Sequence, residues 1–223
     1  MTAETDFLVC DIVDGDQADP LESERMPAAR AFRTSARLRF ARFAQRQRLR
    51  ELVPEPPAPG ESIHTTSGGK FEFFSWIPEM LEWIGKADSL YCSTWTCSRP
   101  NAVELFALAD AGRIGRIHFV TGLYFKRREA AVYAYLLDGI RQRGGTYRAF
   151  PNHSKVCLLS NAAAGHYLTV EGSANLTGNP QHEQMAVIND RGLWEFHAAW
   201  FREMLTTIPE EGAQTRRRRS PKR

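Results

Sequence analysis

Strand-like and helix-like stretches alternate from about residue 71 to residue 205, and that alternation restricts the fold more than any other property of the chain. The spacing predicts a helix over 73–84, a strand over 89–96 and a helix over 101–111 closed by Gly112. A strand over 116–121, built on Ile117-His-Phe-Val120, and a helix over 127–143 ended by Gly144-Gly145 come next. Val132, Tyr133, Leu136, Leu137 and Ile140 fall on one stripe of that helix. Strands are then expected over 146–150, 155–160 and 167–171, the last two joined by a turn at 161–165. A strand over 184–189 and a helix over 193–205, with Trp200, Phe201 and Met204 on one stripe, complete the series. Strands interleaved with helices argue an α/β domain, a mixed β-sheet flanked by helices on both faces.

The rest of the chain divides by charge and composition. Residues 1–20 are acidic and end at Pro20, which predicts a flexible N-terminus. Residues 21–51 predict an arginine-rich amphipathic helix. In it Phe32, Ala36, Phe40 and Phe43 recur near the helical period, and Arg30, Arg33, Arg37, Arg39, Arg42, Arg46 and Arg48 cover the remaining surface. Residues 52–70, with Pro54-Glu-Pro56-Pro57-Ala-Pro59-Gly60, read as a linker that no helix crosses. Residues 71–208 read as the folded domain, and 209–223, with Arg216-Arg-Arg-Arg219, as a basic disordered tail. The net charge of +3 therefore hides a segregation of acid from base, which suggests a polyanionic partner, nucleic acid more often than an anionic membrane.

Cys10, Cys92, Cys97 and Cys157 are irregularly spaced, and two fall in apolar strand-like runs, so buried thiols in a reducing compartment are expected rather than disulfides. Cys92 and Cys97 with His118 do not make a zinc spacing. No apolar run reaches membrane-spanning length, and the N-terminus lacks the positive region of a signal peptide. A cytoplasmic protein without integral membrane association is expected.

One stretch carries chemistry. His153-Ser-Lys155, Gly172-Ser173-Ala-Asn175 and Glu183 fall within about thirty residues, on predicted strands and turns. Residues two apart on a strand share a face, so His153 and Lys155 are expected to point together while Val156 and Leu158 face the core. Gly172 is expected to let the backbone turn and approach a ligand. Ser173 and Asn175 are expected where a helix begins at Asn175-Leu-Thr-Gly, so that its N–H groups favour an anion. A lysine beside hydroxyl, amide and N–H donors makes a phosphate cradle, and a neutral imidazole is a competent nucleophile. Glu183 is placed to hold that imidazole in one tautomer.

This arrangement resembles the phospholipase D superfamily, whose signature is His-x-Lys, four residues, Asp, then Gly-Ser-x-Asn after a second strand. The match runs over His153, Lys155, Gly172, Ser173 and Asn175 and extends to Glu183; in element order it covers residues 89–206. The family's Asp falls at Ser160, a departure that bears on catalysis and not on fold. The resemblance implies a phospholipase D-like mixed sheet and a cycle that uses no metal and no other cofactor. One histidine forms a phosphohistidine, and a second histidine protonates the leaving oxygen. It assigns His153, Lys155 and Glu183 to catalysis, and Lys155, Gly172, Ser173 and Asn175 to the phosphate. With one His-x-Lys in the chain, it also implies a symmetric homodimer with His153 and Lys155 at the two-fold interface.

Short single-motif members of that superfamily look like nucleases more often than lipases, and Arg33, Arg37, Arg42 and Arg46 on the predicted helix are candidate contacts to nucleic-acid phosphates. A DNA endonuclease is the favoured reading. The alternatives are a nucleic-acid-binding protein that keeps the fold without catalysis, and a phosphodiesterase directed at lipid head groups. The lesser readings of the arginine helix are a packing or partner-binding helix, and a helix lying on an anionic membrane.

Overall fold

Parallel strands require a crossover, and the chain supplies two. A computed structural model of the protein describes residues 36–178 and 181–210. Its strands are β1 (Ser62–Thr66), β2 (Ala87–Thr94), β3 (Ile114–Gly122), β4 (Thr146–Phe150), β5 (Val156–Asn161), β6 (His166–Gly172) and β7 (Gln184–Asn189). Its helices are α1 (Ala36–Leu52), α2 (Trp76–Ile84), α3 (Arg99–Asp110), α4 (Leu123–Arg128), α5 (Ala130–Gln142) and α6 (Arg191–Thr207). The strands form one sheet in the order β1-β7-β6-β5-β2-β3-β4. β2, β3 and β4 run parallel through the α3 and α4–α5 crossovers, and every other neighbouring pair is antiparallel. The expected α/β architecture, a mixed sheet with helices on both faces, is the one observed.

Local chemistry sets the element ends. Ser98 caps α3 by accepting the Asn101 N–H, and Pro100 stands in its first turn. Asp190 caps α6 through Leu193 N–H at 2.7 Å. Gly112 and Gly144, at φ +70° and +68°, end the helices before β3 and β4 in the left-handed region that side chains avoid. On one face of the sheet Cys92, Phe119, Tyr147, Cys157, Leu159 and Val187 pack with Trp76 and Met80 of α2, Leu105 of α3 and Leu136 of α5. On the other, Tyr91, Val120, Val156 and Leu158 pack with Trp194, Ala198 and Phe201 of α6. Burial of side chains this size stabilises by about 1.5–3 kcal/mol each. Cys92, Cys97 and Cys157 are free and buried, and Cys92 Sγ lies 3.0 Å from Cys157 Sγ across paired strands. Among the described residues no helix is long and apolar enough to cross a membrane.

The structure changes several sequence-based expectations. The predicted linker 52–70 carries β1, an edge strand paired antiparallel with β7. Its alternation, Ser62-Ile-His-Thr-Thr66, is short and polar, and tertiary pairing rather than propensity makes it a strand. The helix predicted over 127–143 is two, α4 and α5, separated at Glu129. The helix expected to start at Asn175 does not form, because Leu176 bridges to Cys97 instead. The acidic N-terminus, Cys10, Phe32, Arg30, Arg33 and the basic tail from residue 211 lie outside the described residues, as do the side chains of Ala36, Arg37 and Phe40.

The arginine helix presents the opposite face from the one expected. Phe43 is 65% exposed, while Leu49 and the following Val53 are buried in the main core. Arg42, Arg46 and Arg50, four residues apart, lie along one stripe. Arg42 and Arg46 pair with Glu104 of α3, Arg42 also reaches Asn101 Oδ1, and Arg50 makes two 3.0 Å bonds to the buried Glu79 of α2. α1 therefore docks through Leu49 and its ion-paired arginines, and Arg42 and Arg46 are engaged by Glu104. A period of 3.6 shows which residues share a face; it does not show which face meets an acidic neighbour.

His118 of β3 is held between Tyr91, stacked at 4.4 Å, and Thr146 Oγ1, 2.7 Å from its Nδ1. Burial, then the charges of Arg116 and Arg202, push its pKa from 6.5 down to about 4. Between those values the unfolded chain binds a proton that the folded chain refuses, so stability falls as pH drops through this window. With a discount for partial exposure the loss is about 1–2 kcal/mol. Urea midpoints followed from pH 7 to 4 are expected to fall less steeply in His118→Phe, which keeps the stack; parallel slopes would refute the assignment.

Candidate active site

The ends of five strands meet at one margin of the sheet. β1 ends at Thr66, β2 at Thr94 and β6 at Gly172, while β5 begins at Val156 and β7 at Gln184. Loops leaving such a margin are free to carry chemistry because the sheet behind them is rigid. His153 and Lys155 sit in the loop just before β5, not on the strand as expected, yet they meet. Lys155 Nζ donates to His153 Nδ1 at 2.8 Å and to His153 O at 2.5 Å. His153 is exposed, whereas only 7% of Lys155 is. Burial holds the Lys155 ammonium below its ordinary pKa of 10.5, and the Glu183 charge partly restores it.

The loop is bolted down by residues that the spacing argument missed. Asn152 Nδ2 donates to Ser93 Oγ at 2.9 Å and to Thr94 O at 3.3 Å, and Asn152 Oδ1 accepts from Ser154 N and Oγ at 3.1 and 2.8 Å. Ser93 Oγ and Ser154 Oγ are 2.5 Å apart. The pattern Asn-x-Ser around the histidine was the available signal, since such side chains bond to nearby backbone in turns.

The second half of the constellation is brought to the same place. Gly172 N donates to Lys155 O at 3.2 Å, which ties the two segments directly. The close approach that Gly172 permits is to the neighbouring strand: a Cβ there would strike Gln184 O and Met185. Ser173 Oγ donates to Glu183 Oε2 and accepts from Gln184 N at 3.1 Å. Asn175 Oδ1 accepts the Trp95 N–H at 3.2 Å, which turns its NH2 end away from that backbone. Glu183 itself is tethered through Ser67, whose N–H reaches Glu183 O at 2.8 Å. Glu183 was expected to hold the imidazole; in the structure Lys155 meets Nδ1 and the Glu183 carboxylate accepts from Ser173.

A groove of about 590 Å³ runs along this margin, lined by His64, Thr66, Lys155, Glu171, Gly172 and Gln184. His64 of β1 is a further imidazole that the sequence reading assigned to a linker. Ser160, where an Asp was expected, is buried on β5 and pairs with Ser89 and Tyr167. Five residue steps along the strand separate it from Lys155, about 17 Å at strand rise. The departure therefore lies at the opposite end of β5 from His153. Beyond the histidine, the Trp95 ring lies 5.4 Å from the imidazole and stacks on Tyr124 at 4.6 Å. Among the described residues no three His, Cys, Asp or Glu side chains are grouped as metal ligands.

The fold is phospholipase D-like. The fold is similar to the phospholipase D family member Nuc from Salmonella typhimurium, with a TM-score of 0.50 at 17% identity, covering 68% of this chain and 99% of that one. It is likewise similar to NucT from Helicobacter pylori, with a TM-score of 0.51 at 13% identity, covering 68% of this chain and 100% of that one. No protein-family model and no curated protein sequence matches the chain.

Proposed function

We propose that the protein is a metal-independent phosphodiesterase acting on DNA, an endonuclease that works through a phosphohistidine in a site completed by a second copy of the chain. The observation that carries this reading is the contact of His153 with the buried Lys155, beside Ser173, Asn175 and Glu183, at one margin of a phospholipase D-like sheet. In the resting site the Lys155 ammonium donates to Nδ1, so the neutral ring carries its proton on Nε2. A phosphate drawn to Lys155 competes for that ammonium and frees Nδ1.

Attack by the imidazole forms a P–N bond and breaks the P–O bond to the leaving strand. The leaving oxygen takes its proton from a second ring in its imidazolium form, assigned to His153 of the second copy, which is left as neutral imidazole. Water then attacks the phosphohistidine, gives its proton to that second ring, and the P–N bond breaks, which restores both rings. Lys155 and the Asn175 NH2 group stabilise the non-bridging oxygens as charge builds on them. With Arg42 and Arg46 engaged in packing, the exposed Lys126-Arg127-Arg128 segment of α4, next to the Trp95–Tyr124 stack, is the better candidate for backbone contacts.

Purified protein is expected to cut DNA in excess EDTA, with plasmid and single-stranded substrates assayed side by side. Intact DNA after prolonged incubation at an enzyme concentration well above that of the ends sought, with salt-dependent binding retained, would reduce the protein to a DNA-binding scaffold.

A further inference from the structure

A row of rings leads away from the candidate nucleophile. His153 is followed by Trp95 at 5.4 Å and Trp95 by Tyr124 at 4.6 Å, the last two within 20° of parallel. Tyr124 is 42% exposed and has the Arg128 guanidinium 5.4 Å from its centroid. The row is held by the site itself. Trp95 N–H is bonded to Asn175 Oδ1, Trp95 O accepts from Gly122 N at 3.3 Å, and a methyl at Gly122 would collide with the indole and the Asn152 carbonyl. An exposed tyrosine ring with a guanidinium over it, one ring removed from a phosphate-handling histidine, matches a nucleobase flanking the reacting phosphate. Bases inside a duplex already have both faces covered by their neighbours, so such a ledge serves an unpaired base.

We infer that Tyr124, backed by Trp95 and flanked by Arg128, is a stacking ledge for an unpaired base, and that the substrate class is single-stranded nucleic acid. This rests on the phosphodiesterase reading for the position of the phosphate, but its test does not require cleavage. Fluorescence anisotropy would compare a labelled single-stranded oligonucleotide with a strand of the same length carrying abasic sites, each in EDTA. Wild-type protein is expected to bind the base-bearing strand about tenfold more tightly than the abasic one. Tyr124→Phe is expected to keep that ratio and Tyr124→Ala to lose most of it. A ratio taken on one protein sample cancels any fraction misfolded, because both strands lose that fraction alike.

Equal affinity of the wild type for both strands overturns the ledge, as does a ratio unchanged in Tyr124→Ala. Gels run on the same samples separate the two readings. A Tyr124-dependent base preference without cut strands keeps the ledge and removes the hydrolytic function. Cleavage with no base preference keeps the function and removes the ledge.

Discussion

On the proposed mechanism, His153→Ala is expected to lower strand cleavage by about a thousandfold or more, because it removes the proposed nucleophile. Lys155→Met is expected to lower it by about a hundred- to a thousandfold, as the charge proposed to hold the non-bridging oxygens disappears. The double variant is expected to be little worse than His153→Ala, since residues acting as one unit do not add. His153 is exposed, so its substitution leaves the melting temperature close to wild type and separates chemistry from folding. Lys155 also sets a sign in pH. Burial lowers its pKa below 10.5, and the productive form is the ammonium, so cleavage is lost as pH rises through that lowered value. An alkaline limb that persists unchanged in Lys155→Arg would show that another group is titrating. Wild-type cleavage by His153→Ala would end the covalent mechanism outright.

Arg42→Ala is expected to destabilise the fold by about 2–3 kcal/mol, at or just below the range for breaking a buried ion pair. The guanidinium is 18% exposed and bonds both Glu104 and Asn101 Oδ1. Asn101 in turn donates to Glu72 Oε2 at 3.2 Å and to Leu176 O at 3.0 Å, just past the Asn175 that holds Trp95. Removing the arginine leaves the partly buried Glu104 carboxylate to Arg46 alone and loosens a chain of bonds that ends beside the site. Denaturant midpoints measure the loss. The logarithmic salt slope of DNA binding distinguishes packing from phosphate contact: each phosphate-binding arginine removed lowers it by about 1, and here it is expected to stay put. A shallower slope with unchanged stability would restore the arginine helix as a nucleic-acid contact.

The elements that read clearly from the sequence were those whose signal is local. β2 to β7 and α3, α5 and α6 fall near their predicted spans because each combines a periodic apolar stripe with a cap or a glycine stop within a few residues. β1 did not, because five polar-alternating residues become a strand only when β7 offers an edge. Phe43 and Arg42 were read the wrong way round for a related reason. A stripe of arginines looks like a solvent face until Glu104 and Glu79, far away in the chain, are found opposite it.

The candidate site divides in the same manner. His153, Lys155, Gly172, Ser173, Asn175 and Glu183 were legible because their spacing straddles two adjacent strands, and adjacent antiparallel strands bring their ends together by necessity. The sequence by itself thus determined the residue types, the turn that joins β5 to β6 and the α/β class. Tertiary structure alone decided that Lys155 takes the Nδ1 of His153 and that Ser160 stands at the far end of β5. It also decided that Asn175 fixes the backbone of Trp95, so that an aromatic row leaves the site. Spacing along a chain sets which side chains can share a face. Hydrogen bonds between segments sixty to eighty residues apart set where each donor points, and no local pattern encodes that direction.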